Sequence, residues 1–377
     1  MIVIRGTYLA TVFFSLLFII VGHRVAIDGL YAFHDETQEV VRARVQGVTD
    51  RTSPYDEYGD YIPMLGERIV FEARVTSGSH RGETLTAVQG FSVLTTGRTK
   101  EVSRGDSVLL VFLNGEWNFN GFLRLNRLLG LGIVFILCVL FFGGKKGFNT
   151  ILSLGFTCTA IFAVFIPSVL SGKNIYVMSL LVCAYTSTMV PLIVMGYNKK
   201  SLAAITGCAA GIVIAGIVSL VMDRVLNLTG IVDEHSRYLV YLPGDIHINL
   251  NAIIFAGIII GAMGAIMDVS ISISSALWEI KEKAETITFK DLFRSGINIG
   301  RDIMGTMADT LILAYIGSSL SLVLLLSVYS DSLMSLFNSE MIAVEILQAL
   351  AGSFGILFAM PLTALFCAIF YLKDNNG

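Results

Sequence analysis

The chain has 377 residues, 54% of them hydrophobic and only 15% charged, with a net charge of −3 and a mean hydropathy of +0.74. Soluble domains carry about 25% charged residues, so the shortage of charge excludes a disordered chain, a coiled coil and an ordinary cytosolic enzyme. The small net charge implies no nucleic-acid partner, and several windows supply the roughly 17–25 apolar residues needed to cross a bilayer. The composition is that of a polytopic membrane protein.

The first apolar run is Tyr8 to Gly22, preceded by Arg5. It has the basic and apolar regions of a secretory signal, but His23 to Asp28 offers no small-x-small cleavage site, so residues 1–27 read as an uncleaved anchor. Residues 28–127 then change to the composition of a soluble domain. Val41 to Val45 and Ile69 to Val75 alternate apolar and polar residues as half-buried strands do, and Val108 to Leu113 reads as a more buried strand. Turn signals separate them at Ser53-Pro54, Ser77-Gly78-Ser79, Arg81-Gly82, Gly105-Asp106 and Asn114-Gly115. Five or six short strands at such spacing suit a small antiparallel β-barrel or a sandwich, the five-stranded OB type being one such barrel. Its basic residues are countered by neighbouring acids and no aromatic ladder accompanies them, so nucleic-acid binding is not implied.

From residue 128 to 377 the apolar runs follow closely, at about 128–142, 149–169, 174–195, 202–222, 251–275, 303–328 and 352–372. Only helices satisfy their backbone in lipid without closing into a barrel, so with the anchor these give an α-helical membrane domain of about eight spans. Glu340 to Leu350 is amphipathic and reads as a helix lying along the interface before the last span. No internal repeat is visible. Lys145, Lys146, Lys199, Lys200, Lys281, Lys283, Lys290, Arg294, Arg301 and Lys373 fall on the side of Arg5. The other side has only Lys173, Arg224 and Arg237 in short loops, so both termini are expected in the cytoplasm and the β domain outside it. Arg24 and Arg127, at the outer ends of the first two spans, are expected to snorkel or to meet lipid phosphates.

A charged group at bilayer depth costs at least about 2.5–3.5 kcal/mol, so intramembrane acids are the first functional candidates. Asp268, Ser272, Ser275 and Glu279 recur at helical spacing on one face, with Gly257, Gly261 and Gly264 forming a small-residue seam nearby. In the next span Asn298, Asp302, Thr306 (or Gly305) and Asp309 share a face. The two spans are consecutive, and Asp268 and Asp309 are each expected about 10 Å below the cytoplasmic boundary, where they could converge. Such a pair would bind H⁺, or a metal ion if Ser272, Thr306 or Thr310 completed the shell. In the plainer reading each aspartate bonds a hydroxyl across the helix contact and Asp302 caps a turn.

The outer loop 223–250 offers a weaker metal set, Asp233, Glu234 and His235 with Asp245 and His247, whose spacing matches no fixed zinc or calcium pattern. Pro167, Pro191 and Pro361 lie in or beside spans and are candidates for kinks. The five cysteines all fall in apolar stretches without a Cys-x-x-Cys pair, so neither disulfides nor a zinc site is indicated. No histidine falls inside a span, and the metalloprotease, nucleophile-elbow, Walker and dinucleotide motifs are absent, so no enzyme activity and no cofactor are expected.

Three stretches carry a resemblance. Gly261-Ala262-Met263-Gly264-Ala265-Ile266-Met267-Asp268-Val269-Ser270, Gly300-Arg301-Asp302-Ile303-Met304-Gly305-Thr306-Met307 and Pro361-Leu362-Thr363-Ala364-Leu365 resemble motifs of the YibE/F-like membrane proteins of bacteria. The layout is similar too, with an anchor, an extracytoplasmic β domain bearing Gly105-Asp106-x-Val108, and a helical membrane domain. The resemblance implies an integral membrane protein and no particular activity. That family usually carries asparagine near the position of Asp309, which would make the carboxylate pair a departure from it. The leading expectation is a permease or ion-coupled transporter of the bacterial inner membrane, for a small solute or cation, with its pathway between the Asp268 and Asp309 helices. Its expected partners are membrane lipids and, through Gly207-x-x-x-Gly211 and Gly257-x-x-x-Gly261, a second copy. The rival is a non-transporting membrane scaffold that presents the β domain to a partner.

Overall fold

The computed structural model describes residues 2–28, 39–52, 68–78, 80–91, 100–241, 248–284, 286–329 and 332–372. Its contacts divide the chain into two units, one of Met1–Tyr31 with Val139–Gly377 and the other Ala32–Cys138.

The second unit holds five strands, β1 (Val40–Thr52), β2 (Arg68–Ser77), β3 (Thr84–Gly90), β4 (Ser107–Leu113) and β5 (Glu116–Phe122). They close into a barrel in the order β1-β2-β3-β5-β4, with β3 and β5 parallel and the other pairs antiparallel. The period-two pattern sends Val41, Ala43, Val45, Ile69, Phe71, Ala73, Val75, Val108 and Leu110 inside. Three register shifts bend β1, which lets one strand pair with both β2 and β4 and so close the barrel. Asn114 and Gly115 both take positive φ, 54° and 86°, the geometry of a two-residue hairpin between β4 and β5. Buried Gln89 is satisfied on both ends: its amide donates to the Lys100 carbonyl at 3.0 Å and its oxygen accepts from Val102 N–H at 2.9 Å. On the barrel surface His80 lies 2.8 Å from the Glu83 carboxylate, and that hydrogen bond raises its pKa above the ordinary imidazole value. Glu83→Gln is expected to lower the His80 pKa, read from the pH dependence of its ring proton resonances.

The first unit is helical. Its elements are α1 (Ile2–Ile27), the later part of α2 (Leu125–Thr159), a π-helical turn (Ala160–Phe165), α3 (Ile166–Leu170), α4 (Ile175–Met195) and α5 (Lys199–Val225). There follow α6 (Glu234–Val240), α7 (Leu250–Lys283), α8 (Phe289–Ser318), α9 (Leu320–Tyr329), α10 (Leu333–Asn338) and α11 (Glu340–Leu372). Among the described residues six helices are long and apolar enough to cross a membrane, and the pair α8–α9, bent by 59°, makes up to a seventh. The longest of the six, Leu125–Leu170, is broken at Gly144 (φ 52°, ψ −128°). There the Gly147 backbone returns against the Val139 carbonyl. Residues eight apart in a straight helix stand about 12 Å apart along its axis, so the chain turns sharply here, between the predicted runs 128–142 and 149–169.

Two other expectations change. The predicted span 303–328 is the bent α8–α9 pair, its helix beginning as early as Phe289. The interfacial helix at Glu340 to Leu350 is instead the first third of one continuous helix, α11. No glycine or proline breaks the chain before Gly352, and Ile342, Val344, Leu347, Ala349 and Ala351 are buried along the same helix, so packing carries it through.

Helix α1 is bonded into this unit. Tyr8 Oη donates to Asn149 Oδ1 at 3.2 Å, and Asn149 Nδ2 donates to the Ile193 carbonyl at 3.0 Å. His23 Nδ1 donates to the Ala163 carbonyl at 2.7 Å, inside the π-helical turn where the regular ladder is interrupted. Phe18 stacks on Tyr185 with ring centroids 4.1 Å apart.

The core is built around α11, which lies against α5, α7 and α8. Glycines make the approach possible. A Cβ at Gly211 would stand 2.7 Å from Ile266 Cγ2 and 2.8 Å from Ala359 Cβ; one at Gly296 would stand 2.6 Å from Ala364 Cβ. Gly207 meets Thr363, and Gly300 meets Met360, more closely still. In lipid, where apolar surface gains nothing from being buried, such backbone proximity supplies the packing energy. Gly211→Ala is expected to destabilise the unit by about 1–3 kcal/mol through overpacking. Gly264→Ala, where the Cβ meets open space, is expected to leave the melting temperature in detergent at or above that of the parent.

Candidate functional site

The site begins with the two faces of α7. On one, Ala262, Ile266, Val269, Ser270, Ile273, Ser274 and Leu277 are buried against α5, α8 and α11. Two polar bonds fix the α7–α11 contact. Thr363 Oγ1 donates to Ser270 Oγ at 3.2 Å, and Tyr371 Oη donates to the Ser274 carbonyl at 2.8 Å, both fully buried. The Tyr371 ring meets Trp278 edge to face, centroids 5.0 Å apart. On the other face, Gly257, Gly261, Gly264, Asp268, Ser272 and Glu279 are exposed, with Ser275 half-buried. The expected seam of small and acidic residues therefore exists, and apart from Gly261, which Tyr315 Oη approaches, the described residues leave it uncovered.

Helix α8 is divided in the same way. Leu292, Gly296, Gly300 and Leu311 are buried, whereas Asn298, Arg301, Asp302, Gly305, Thr306, Asp309 and Thr310 are exposed. Asp309 stands about half a turn round the helix from Gly300, the residue packed on α11. The helices run antiparallel, with Tyr315 Oη against Gly261, Gly300 near Ile273, and Gly296 near Leu277. That register sets Thr306 level with Asp268 and Asp302 level with Ser272. It puts Asp309 about one turn, roughly 5 Å, farther along than Asp268. The carboxylates thus open outward on neighbouring helices at staggered depths and do not converge across the α7–α8 contact. The expectation of equal depth assumed that both helices end at one level; the glycine contacts fix a different register.

None of the described ion pairs or hydrogen bonds engages the carboxylates of Asp268, Asp302 or Asp309. The nearby hydroxyls serve their own helix: Thr306 donates to the Ile303 carbonyl at 2.9 Å and Thr310 to the Thr306 carbonyl at 2.7 Å. Among the described residues no three His, Cys, Asp or Glu side chains gather to hold a metal ion. Asp233 caps α6, accepting from Ser236 N–H at 2.7 Å. Asp245, His247 and the side chains of Glu234 and His235 lie outside the described residues. Cys183, Cys208 and Cys367 are buried, and Cys138 and Cys158 are exposed.

The three motif stretches thus lie on the helices that pack on one another, with Thr363 bonded to Ser270 and Gly300 set against Ile273 and Met360. A family model described as YibE/F-like protein matches residues 131–373. The chain belongs to the YibE/F-like family. No curated protein and no solved structure matches it. In this YibE/F-like protein, the residues of the resembling motifs that face inward are accounted for by packing; Gly264, Asp268, Arg301, Asp302 and Gly305 face outward and are not.

Sequence reasoning missed two acids of α11. Glu340 accepts from Thr229 N–H and Gly230 N–H, both at 2.7 Å, and from the Thr229 hydroxyl at 2.8 Å, which locks the loop after α5 to the start of α11. Glu345 has one carboxylate oxygen buried without a hydrogen-bond partner. Glu340 shares a face with Val344 and Leu347 while Glu345 lies with Gln348 on the polar side of an apparent surface helix, so only that helix's continuity with the last span reveals them. Thr363→Val is expected to lower stability by about 1 kcal/mol through loss of the Ser270 bond, seen as an earlier unfolding midpoint. Thr306→Val, whose hydroxyl serves only its own turn, is expected to change the midpoint much less.

Proposed function

We propose that this YibE/F-like protein is a membrane permease or ion-coupled transporter whose pathway runs along the open face of α7 and α8. One observation carries the reading: Asp268, Asp302 and Asp309 stand exposed and unpartnered beside Gly257, Gly264 and Gly305 in apolar helices. Facing lipid, Asp268 and Asp309 would each cost at least about 2.5–3.5 kcal/mol, so the face calls for water, a cation or a second protein wall. In our reading a second copy of the chain supplies that wall, and Asp268 carries the coupling proton or cation past it. The protein sits in the bacterial inner membrane with both termini in the cytoplasm, and the barrel, which we read as OB-like, stands outside as a gate or docking element. No catalytic role is proposed. The test compares solute accumulation in cells expressing the parent with cells expressing Asp268→Asn at equal membrane levels. At least a tenfold loss of accumulation of the transported solute is expected; unchanged accumulation would remove Asp268 from the mechanism.

The scaffold reading is favoured by a different observation. Phe112 and Leu113 are exposed at the end of β4, where the Phe112 ring lies against Trp117 with centroids 5.2 Å apart and Val40, opposite Val111 on the neighbouring strand, is exposed as well. Such a patch fits a protein contact. If Phe112→Ser abolished the cellular phenotype while Asp268→Asn did not, display would replace transport.

A further inference from the structure

A second polar feature of the helical unit lies apart from the aspartate face. Where α8 bends into α9, Ser319 Oγ and Ser319 N–H both bond the Tyr315 carbonyl, at 2.6 and 3.0 Å. The 59° bend swings α9 out of line and leaves a cavity of about 280 Å³ between α8, α9, α10 and α11. Its walls include Tyr315, Leu336, Phe337 and Ile346, and Glu345 is the one charged group among the lining residues. A Glu345 oxygen is closed off from solvent and has no hydrogen-bond partner.

A buried carboxylate oxygen without a donor leaves an electrostatic demand unmet. An inorganic cation is a poor answer, because calcium or magnesium requires about six oxygen ligands and this cavity offers a single carboxylate among apolar walls. What fits the walls and the charge together is an organic cation with an apolar body, its charge against Glu345 and its substituents against Leu336 and Ile346. Phe337 and Tyr315 add aromatic rings to the lining, a residue type that attracts such cations. The volume, near the low end for small-molecule pockets, suits a single substituted ring. We propose that the α8–α11 cavity is a binding site for small lipophilic monocations, with Glu345 as the counter-ion. The site does not depend on the transport reading.

The test uses the purified full chain in detergent, radiolabelled phenyltrimethylammonium as the probe, and tert-butylbenzene as its uncharged carbon isostere. Saturable binding is expected in the parent, weakened at least about tenfold by Glu345→Gln. Ile346→Trp, which fills the cavity from its exposed side, is expected to weaken binding similarly and decides the matter should Glu345→Gln not fold. Tert-butylbenzene is expected not to compete at equal concentration, and Asp268→Asn is expected to bind like the parent. The proposal is overturned by any of four results: absence of saturable binding, parental affinity in folded Glu345→Gln, equal competition by tert-butylbenzene, or a matching loss in Asp268→Asn. The last would assign the cation to the aspartate face instead.

Discussion

The helical unit depends on backbone approaching backbone along α11. Gly207 and Gly211 on α5, Gly296 and Gly300 on α8, and Gly352 and Gly355 on α11 itself each lack the Cβ that would force the helices apart. Inside a membrane this matters more than in water, since dispersion contacts and the few buried hydrogen bonds must hold the helices without help from the hydrophobic effect. The Thr363–Ser270 and Tyr371–Ser274 bonds add direction to contacts that are otherwise only close. One face of α7 is spent on this packing, and on the other only Gly261 meets a neighbouring helix closely, while Gly257, Gly264, Asp268 and Ser272 are exposed.

That division gives the acids their meaning. Had Asp268 pointed toward α11, it would have met Ile266, Ala359 and Met360 in a closed core with no polar partner. On the open face it is flanked by glycines, which allow a ligand, water or a second helix to come close. The bend at Ser319 makes a separate opening farther along α8, where Glu345 lines an apolar cavity. Both features rest on the same economy: helices held by small residues on one side, and irregular or polar elements left on the other.

Much of the layout was legible in the sequence, for definite physical reasons. Long apolar runs cannot be hidden, period-two alternation sends Val41, Ala43 and Val45 to one side of a strand, and Asn114-Gly115 has few alternatives to a hairpin. The face shared by Gly257, Gly261, Gly264 and Asp268 follows from helical spacing alone. What spacing could not supply was register between helices. Asp268 and Asp309 seem paired in depth when counted from presumed helix ends, yet the contacts of Gly261 with Tyr315 and Gly300 with Ile273 stagger them by a turn. Nor could local composition separate an interfacial helix from the start of α11, because Glu345 and Gln348 have the same pattern in either case. The sharp turn at Gly144 lay between two correctly placed runs, but glycine there is equally at home in a loop.

The central claim is that the acid-bearing face of α7, which the described residues leave open, is wet. Spin labels placed singly from residue 261 to 273 of the reconstituted protein would report, position by position, collision with a water-soluble relaxation agent and with dissolved oxygen. The account predicts collision with the water-soluble agent peaking at 264, 268 and 272, and minima for both agents at 262, 266, 269 and 273. Peaks for oxygen alone at 264, 268 and 272 would mean that the face looks into lipid, and would contradict it.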